Sequence, residues 1–307
     1  MKRLLIILTL VFNVVFSQTV KIVEDKPITA LKEGKFYYPM ISPDGKFLLM
    51  SKENRQGLWM KDLSNGRIKR ITNASGAGLD PVFSFDGNEI LFRENKIING
   101  KIFSSLKSYN LKTQKVFLKE DNIRDLKFLK TTNNVSKSYL KQNEIAQIFT
   151  SASLSKTTSD DISVAVDMNK IILYQNGVKK YLSPAGDGYY IWPSVSPDKS
   201  KLLFTLAGKG TYVSDLQGNI LKKIGYANFP SWSPDGNWII FMKDLDNGEV
   251  IISSEIYIAN VNTGKYFLLT ENQNEISLYP TWGSSINEIY YHTDNGVIRK
   301  IKIQFEQ

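Results

Sequence analysis

The sequence contains no cysteine. Disulfide staples, thiolate zinc sites, a cysteine nucleophile and a lipidated N-terminal cysteine are therefore excluded. It contains one histidine, His292, so metal centres built from two or three imidazoles are excluded as well. A Ser-His-Asp triad would have to use His292, but no G-x-S-x-G elbow or other nucleophile context accompanies it. Its setting, "IYYHTDNG", places it at the surface end of a strand, just before a turn. The apolar run "LLIILTLVFNVVF" stops at 13 residues, short of the roughly 20 that a membrane-spanning helix needs.

What is present is ample core material: 307 residues, 42% hydrophobic and 12% aromatic. Lysine and arginine exceed aspartate and glutamate, giving a net charge of +9. The lysines are scattered rather than gathered, which reads as a soluble basic surface and not as a nucleic-acid footprint. At the N-terminus, Met1-Lys2-Arg3, the apolar run and Ser17 together read as a secretory signal peptide over residues 1–17. Its removal leaves no transmembrane segment. Export without cysteine suits a periplasmic or secreted protein of a bacterial envelope.

The chain repeats one sentence. "YPMISPDGKFLLM" from Tyr38, "DPVFSFDGNEILF" from Asp80, "WPSVSPDKSKLLF" from Trp192, "FPSWSPDGNWIIF" from Phe229 and "YPTWGSSINEIYY" from Tyr279 align on their prolines. Proline fixes φ at the start of a first strand, and Ser-Pro-Asp-Gly makes a tight turn. The apolar run that follows is a second strand, buried on both faces. In most copies two further alternating stretches follow, joined by Asn-Gly or Thr-Gly turns. Asp44, Asp86, Asp198 and Asp235 recur because the turn needs them, and are assigned a structural role in the blade turns.

Four short antiparallel strands every 40–50 residues or so is the period of a β-propeller blade. One such sheet cannot bury both faces alone, so the units stack side by side into a ring. An all-β propeller of six four-stranded blades is expected, seven being the alternative, as a single domain over residues 18–307. The interval from Pro81 to Pro193 is too long for one blade, so a divergent blade with an insertion is expected over about 121–188. Its outer strands are "ISVAVD", "KIILYQ" and "VKKYLS"; its inner strand begins at Ile123 or at Ile145, and residues 131–161 form the insertion. The last blade lacks a fourth strand, which "TVKIVEDKPI" can supply, closing the ring.

Pro230, Trp232, Ser233, Pro234, Asp235, Gly236, Ile239 and Phe241 resemble the "P-x-W-S-P-D-G-x-x-I-x-F" sentence of the TolB-like propellers; the other copies match in part. The resemblance covers about 36–120 and 189–305. It implies the propeller and, from the family's namesake, a periplasmic partner of an outer-membrane lipoprotein. The extra α/β domain of full-length TolB has no counterpart here, so TolB itself is not the expectation. Similar propellers also cap serine peptidases and form oligogalacturonate lyases, which use several histidines around a metal. With one histidine and no hydrolase-domain pattern after the last blade, neither activity is expected.

The residues just before the blade prolines lie around one mouth of the channel, and they are unusually aromatic. Tyr38, Asp80, Tyr190, Trp192, Phe229 and Tyr279, with Tyr37 and Tyr189, form the candidate binding surface. "KDLDNGE" (243–249) lacks calcium-loop spacing and reads as an acidic loop turning at Asn247-Gly248. No catalytic, metal or cofactor site is expected. The reading is a non-catalytic, monomeric scaffold that binds an envelope protein or peptide. A glycan-active lyase or hydrolase, or a glycan-binding module, is the alternative.

Overall fold

A computed structural model describes residues 19–84, 87–130, 135–141, 144–147, 162–175, 178–271 and 275–306. After β1 (Thr19–Pro27), blade 1 comprises β2 (Tyr37–Ile41), β3 (Phe47–Ser51), β4 (Leu58–Asp62) and β5 (Ile68–Thr72). Blade 2 comprises β6 (Val82–Ser84), β7 (Glu89–Ile98), β8 (Lys101–Asn110) and β9 (Val116–Ile123). The chain continues through β10 (Lys127–Lys130), β11 (Val135–Lys141) and β12 (Glu144–Gln147). Blade 3 follows as β13 (Ile162–Asp167), β14 (Lys170–Gln175) and β15 (Val178–Leu182). Blade 4 is β16 (Tyr190–Val195), β17 (Lys201–Leu206), β18 (Gly210–Asp215) and β19 (Ile220–Gly225). Blade 5 is β20 (Asn228–Trp232), β21 (Trp238–Asp246), β22 (Ile251–Asn260) and β23 (Tyr266–Leu268). Blade 6 is β24 (Ser277–Trp282), β25 (Glu288–Thr293) and β26 (Ile298–Glu306). The fold is an all-β, six-bladed propeller.

Blade 5 shows how the repeated sentence folds. In the turn after β20, the Ser233 hydroxyl donates to Asp235 (2.5 Å) and accepts from the backbone N–H of Trp238 (2.9 Å). Asp235 also accepts the Asn237 N–H at 3.1 Å, and Gly236 takes the positive φ of 72° that closes the turn. The same serine and aspartate contacts recur at Ser42–Asp44 and Ser196–Asp198. Ser84 accepts the Glu89 N–H in blade 2, while Asp86 lies outside the described residues. β21 then explains why the apolar run is continuous. Ile239 and Phe241 pack toward blade 4 with Leu203 and Val213, whereas Trp238, Ile240 and Met242 pack toward blade 6 with Leu278, Ile289 and Tyr291. Each fully buried side chain of this size stabilises the fold by about 1.5–3 kcal/mol.

The ring closes as expected. β1 pairs antiparallel with β26, from Thr19↔Glu306 to Pro27↔Arg299, and becomes the outer strand of blade 6. Asp25 fastens it by accepting from the Tyr291 hydroxyl (3.0 Å) and Arg299 Nε (3.1 Å).

The departure is between blades 2 and 3. Blade 3 shows three strands among the described residues. β10, which falls within the stretch from Ile123, lies beside β13 in the innermost place, and Lys127 Nζ donates to the Val166 carbonyl at 3.1 Å. Yet β10 forms its ladder with β11 rather than with β13. β11 in turn runs parallel to β6, pairing Val135 with Phe83 and Ser136 with Ser84. The expected insertion at 131–161 therefore includes β11, which extends blade 2 on its channel side, and β12, which pairs with β11. Residues 131–134, 142–143 and 148–161 lie outside the described residues, as does the expected signal peptide. No helix among the described residues is long and apolar enough to cross a membrane.

Candidate functional site

The inner strands carry a shared irregularity. β2 pairs with β3 at Tyr37↔Ser51 and resumes at Met40↔Leu49, so two residues of β2 oppose one of β3. The same bulge separates Ile191 from Ser194, Asn228 from Ser231 and Leu278 from Thr281. Each bulge holds a blade proline, which has no N–H to give the ladder. The residue before proline is barred from the right-handed helical region. Here it takes the left-handed one instead: Tyr38, Trp192, Phe229 and Tyr279 have φ between 49° and 56°, and Asp80 in blade 2 has φ 50°. This conformation costs a non-glycine residue about 1–2 kcal/mol. A bulge also re-aims its side chain, and all five of these residues line the central cavity, of about 690 Å³.

Four of the five form a continuous arc of rings. Trp192 lies 4.6 Å from Phe229, Phe229 4.3 Å from Tyr279, and Tyr279 4.7 Å from Tyr38, between ring centroids. The last two contacts are edge-to-face. Arg55 covers the end of the arc, its guanidinium 4.1 Å from the Tyr38 ring centre and 5.5 Å from that of Tyr279. Burial raises the Tyr279 hydroxyl pKa above the ordinary tyrosine value.

The residue that follows the closing residue of each repeat is Ser51, Arg93, Thr205, Met242 or His292, and Met242 and His292 lie against the arc at Tyr279. Met242 Sδ accepts the Tyr279 N–H at 3.5 Å. His292 corrects the sequence expectation: it is a buried residue, 2% exposed, and not a surface strand end. Its ring stacks on Tyr279 (5.3 Å) and meets the Tyr37 and Tyr38 rings edge-on, each at 5.2 Å. Nδ1–H donates to the Thr293 carbonyl at 3.1 Å, while Nε2 is buried without a hydrogen-bond partner. Burial drives the His292 pKa down to about 4, with the charge of Arg55 adding to the effect and the Thr293 carbonyl opposing it.

The opposite side of the cavity is cationic. Arg93, Lys127 and Phe128 line it together with Asp80 and the β13 residues Val164–Val166. Arg93 is half-buried, its guanidinium 5.6 Å from the Phe128 ring centre, and its Nε is shut off from solvent without a hydrogen-bond partner. Burial lowers its pKa, and the charge of Asp80 works the other way. Across the cavity, Ser194 of blade 4 also has a buried hydroxyl oxygen without a partner.

Of the six candidate residues, Tyr38, Asp80, Trp192, Phe229 and Tyr279 meet at the cavity. Tyr190 does not. It lies three residues before its proline, ahead of the bulge, and packs in the core of blade 4 against Phe204. Its hydroxyl donates to the Gly186 carbonyl (2.8 Å) and accepts the Ala185 N–H (2.9 Å). Tyr37 is half-buried against His292, and Tyr189 is exposed. In the acidic stretch 243–249, Asp244 is buried and accepts from Asn228 Nδ2 at 2.6 Å, and Asp246 caps the Gly248 N–H at 2.9 Å. These bonds hold a hairpin together, and no group of three metal-ligating side chains occurs among the described residues. Arg55, Arg93, Lys127 and His292 were not read as site residues from sequence. Carrying the repeat alignment one residue further would have exposed Arg93 and His292 as the two ionisable residues of one position.

The sequence matches no family model and no curated protein. The fold is similar to that of a putative TolB from Agrobacterium tumefaciens, with a TM-score of 0.52 and 17% identity, covering 95% of this chain and 100% of that one. TolB from Acinetobacter baumannii gives a TM-score of 0.49 at 15% identity over 88% of this chain and 63% of that one, so this chain spans less than two thirds of that protein's length. An oligogalacturonate lyase in complex with manganese gives 0.47 at 13% identity, over 88% and 78% respectively. The fold is TolB-like.

Proposed function

We propose that the protein is an exported scaffold of the cell envelope that binds a protein or peptide segment at the aromatic mouth of its channel, without catalysis. One observation carries the reading. At five positions just before a blade proline the chain accepts a left-handed, non-glycine backbone, and all five of these residues line one cavity. Strain repeated at one surface is maintained by what that surface does. The cavity volume, about 690 Å³, is that of a ligand site rather than a packing defect.

Two features favour a peptide over a sugar. The rings meet edge-to-face and lean on one another, instead of standing apart as flat platforms for a pyranose. The cavity lining includes no asparagine or glutamine among the described residues, and Asp80 is its one carboxylate, whereas glycoside hydrolysis generally uses a pair. The test compares residues 18–307 with a Trp192→Ala/Tyr279→Ala double variant as bait in envelope extract. A discrete protein captured by the parent and lost from the still-folded variant supports the reading. Capture of that protein by both places the contact elsewhere. Capture of nothing, with binding or cleavage of an envelope glycan, overturns the reading in favour of the glycan-active alternative.

A further inference from the structure

The charged side chains lining the cavity, among the described residues, are Arg55, Arg93, Lys127 and Asp80. Three cations and one carboxylate share a low-dielectric enclosure, which leaves an excess of positive charge facing whatever enters. The groups are anchored differently. Arg55 rests on the Tyr38 ring, Lys127 spends one donor on the Val166 carbonyl, and Arg93 leans over the Phe128 ring with Nε unmatched. A desolvated N–H without an acceptor carries a penalty of about 1–3 kcal/mol, more when the group is charged. A guanidinium fork matches a carboxylate in two parallel hydrogen bonds.

We propose that the channel recognises an acidic peptide, whose aspartate or glutamate carboxylate docks on Arg93 while neighbouring apolar side chains lie against the arc from Trp192 to Tyr38. This rests on the peptide-binding reading above and adds the ligand's charge to it. Asp80 has a defined part: it lines the same cavity, its negative charge acts on the Arg93 guanidinium and opposes an incoming carboxylate, so its loss strengthens binding.

The test uses two isosteric probes, acetyl-Phe-Glu-Phe-amide and acetyl-Phe-Gln-Phe-amide, titrated into residues 18–307 by calorimetry or NMR. The acid is expected to bind about tenfold or more tighter than the amide, the factor for a hydrogen bond to a charged group. Arg93→Met abolishes that preference, and Asp80→Asn, which retains tolerance of positive φ, increases it. If Arg93→Met fails to fold, Asp80→Asn and the loss of preference at high salt carry the test. Equal binding of acid and amide, or a preference that Asp80→Asn leaves unmoved, overturns the charge assignment but leaves peptide binding standing. Failure of both probes to bind overturns both. Tighter binding of a uronate trisaccharide than of the acidic peptide, through Arg93, overturns the peptide assignment.

Discussion

The two sides of the channel solve one packing problem differently. Blades 4, 5 and 1 are regular four-stranded meanders, blade 6 is completed to four strands by β1, and each of the four sends a ring into the channel from its proline bulge. Blade 2 sends Asp80 from the equivalent position, takes an extra parallel strand on its inner edge, and is followed by a blade with three described strands. The layer behind the mouth differs in the same way. The repeat position that holds neutral His292 among three tyrosines in blade 6 holds Arg93 in blade 2. The lesson is that the repeat constrains backbone and core, while the residue on either side of the sentence is free to build a site. An aromatic half grips apolar groups and a cationic half orients charge.

The largest effect is expected from the regular side. Phe241→Ala empties a fully enclosed site between blades 4 and 5 and should cost about 3–5 kcal/mol in denaturant unfolding. Phe128→Ala, on a short strand that pairs with β11 alone among the described residues, should cost at least about 1 kcal/mol less. Equal losses would break the distinction between the two sides.

Next in size is the pH dependence contributed by His292. Its folded pKa, about 4, lies below the ordinary 6.5. Between those values the unfolded chain binds the proton and the folded chain does not, so stability rises with pH there. The contribution is complete above about 6.5 and is lost as pH falls toward 4, up to about 3 kcal/mol at 1.36 kcal/mol per unit. His292→Met should remove that limb of the profile, as measured by unfolding free energy from pH 7 to 4. An unchanged profile would mean that the imidazole is not held neutral by burial.

Ser233→Ala and Ser84→Ala each strip the acceptor from the first N–H of a buried strand. Both should cost about 1–3 kcal/mol, and by similar amounts, if the blade turn is the same device on both sides. The smallest effect sharpens the comparison most. Arg93→Met replaces a half-buried cation by an apolar chain and should leave stability within about 1 kcal/mol of the parent, or raise it. A loss of several kcal/mol would make Arg93 a structural residue and weaken its assignment to ligand.

Legibility followed the repeat. Trp232, Pro230 and the Ser233–Asp235 turn specify a blade locally, so five in-phase copies exposed the propeller, and the strand left over at residues 19–27 exposed its closure. Tyr190 was misplaced because it sits three residues before its proline, two before Trp192, and the intervening bulge puts the two side chains on different sides of the strand. His292 was misplaced because "HTDNG" looks like a surface turn in isolation, whereas the tyrosines that bury it come from blades 1 and 6. Arg93 and Lys127 were invisible as a pair. They lie on separate strands, and nothing in the spacing of either says that it reaches the channel.

By itself the sequence determined the blade and the aromatic character of the pre-proline position, because turns and alternation act over a few residues; it left six blades against seven open. Only the tertiary structure decided that these rings form one arc, that a histidine is kept neutral behind it, and that three cations line the same cavity. Those outcomes depend on closing the ring, which brings together side chains that are far apart in the chain and fixes which of them lose water.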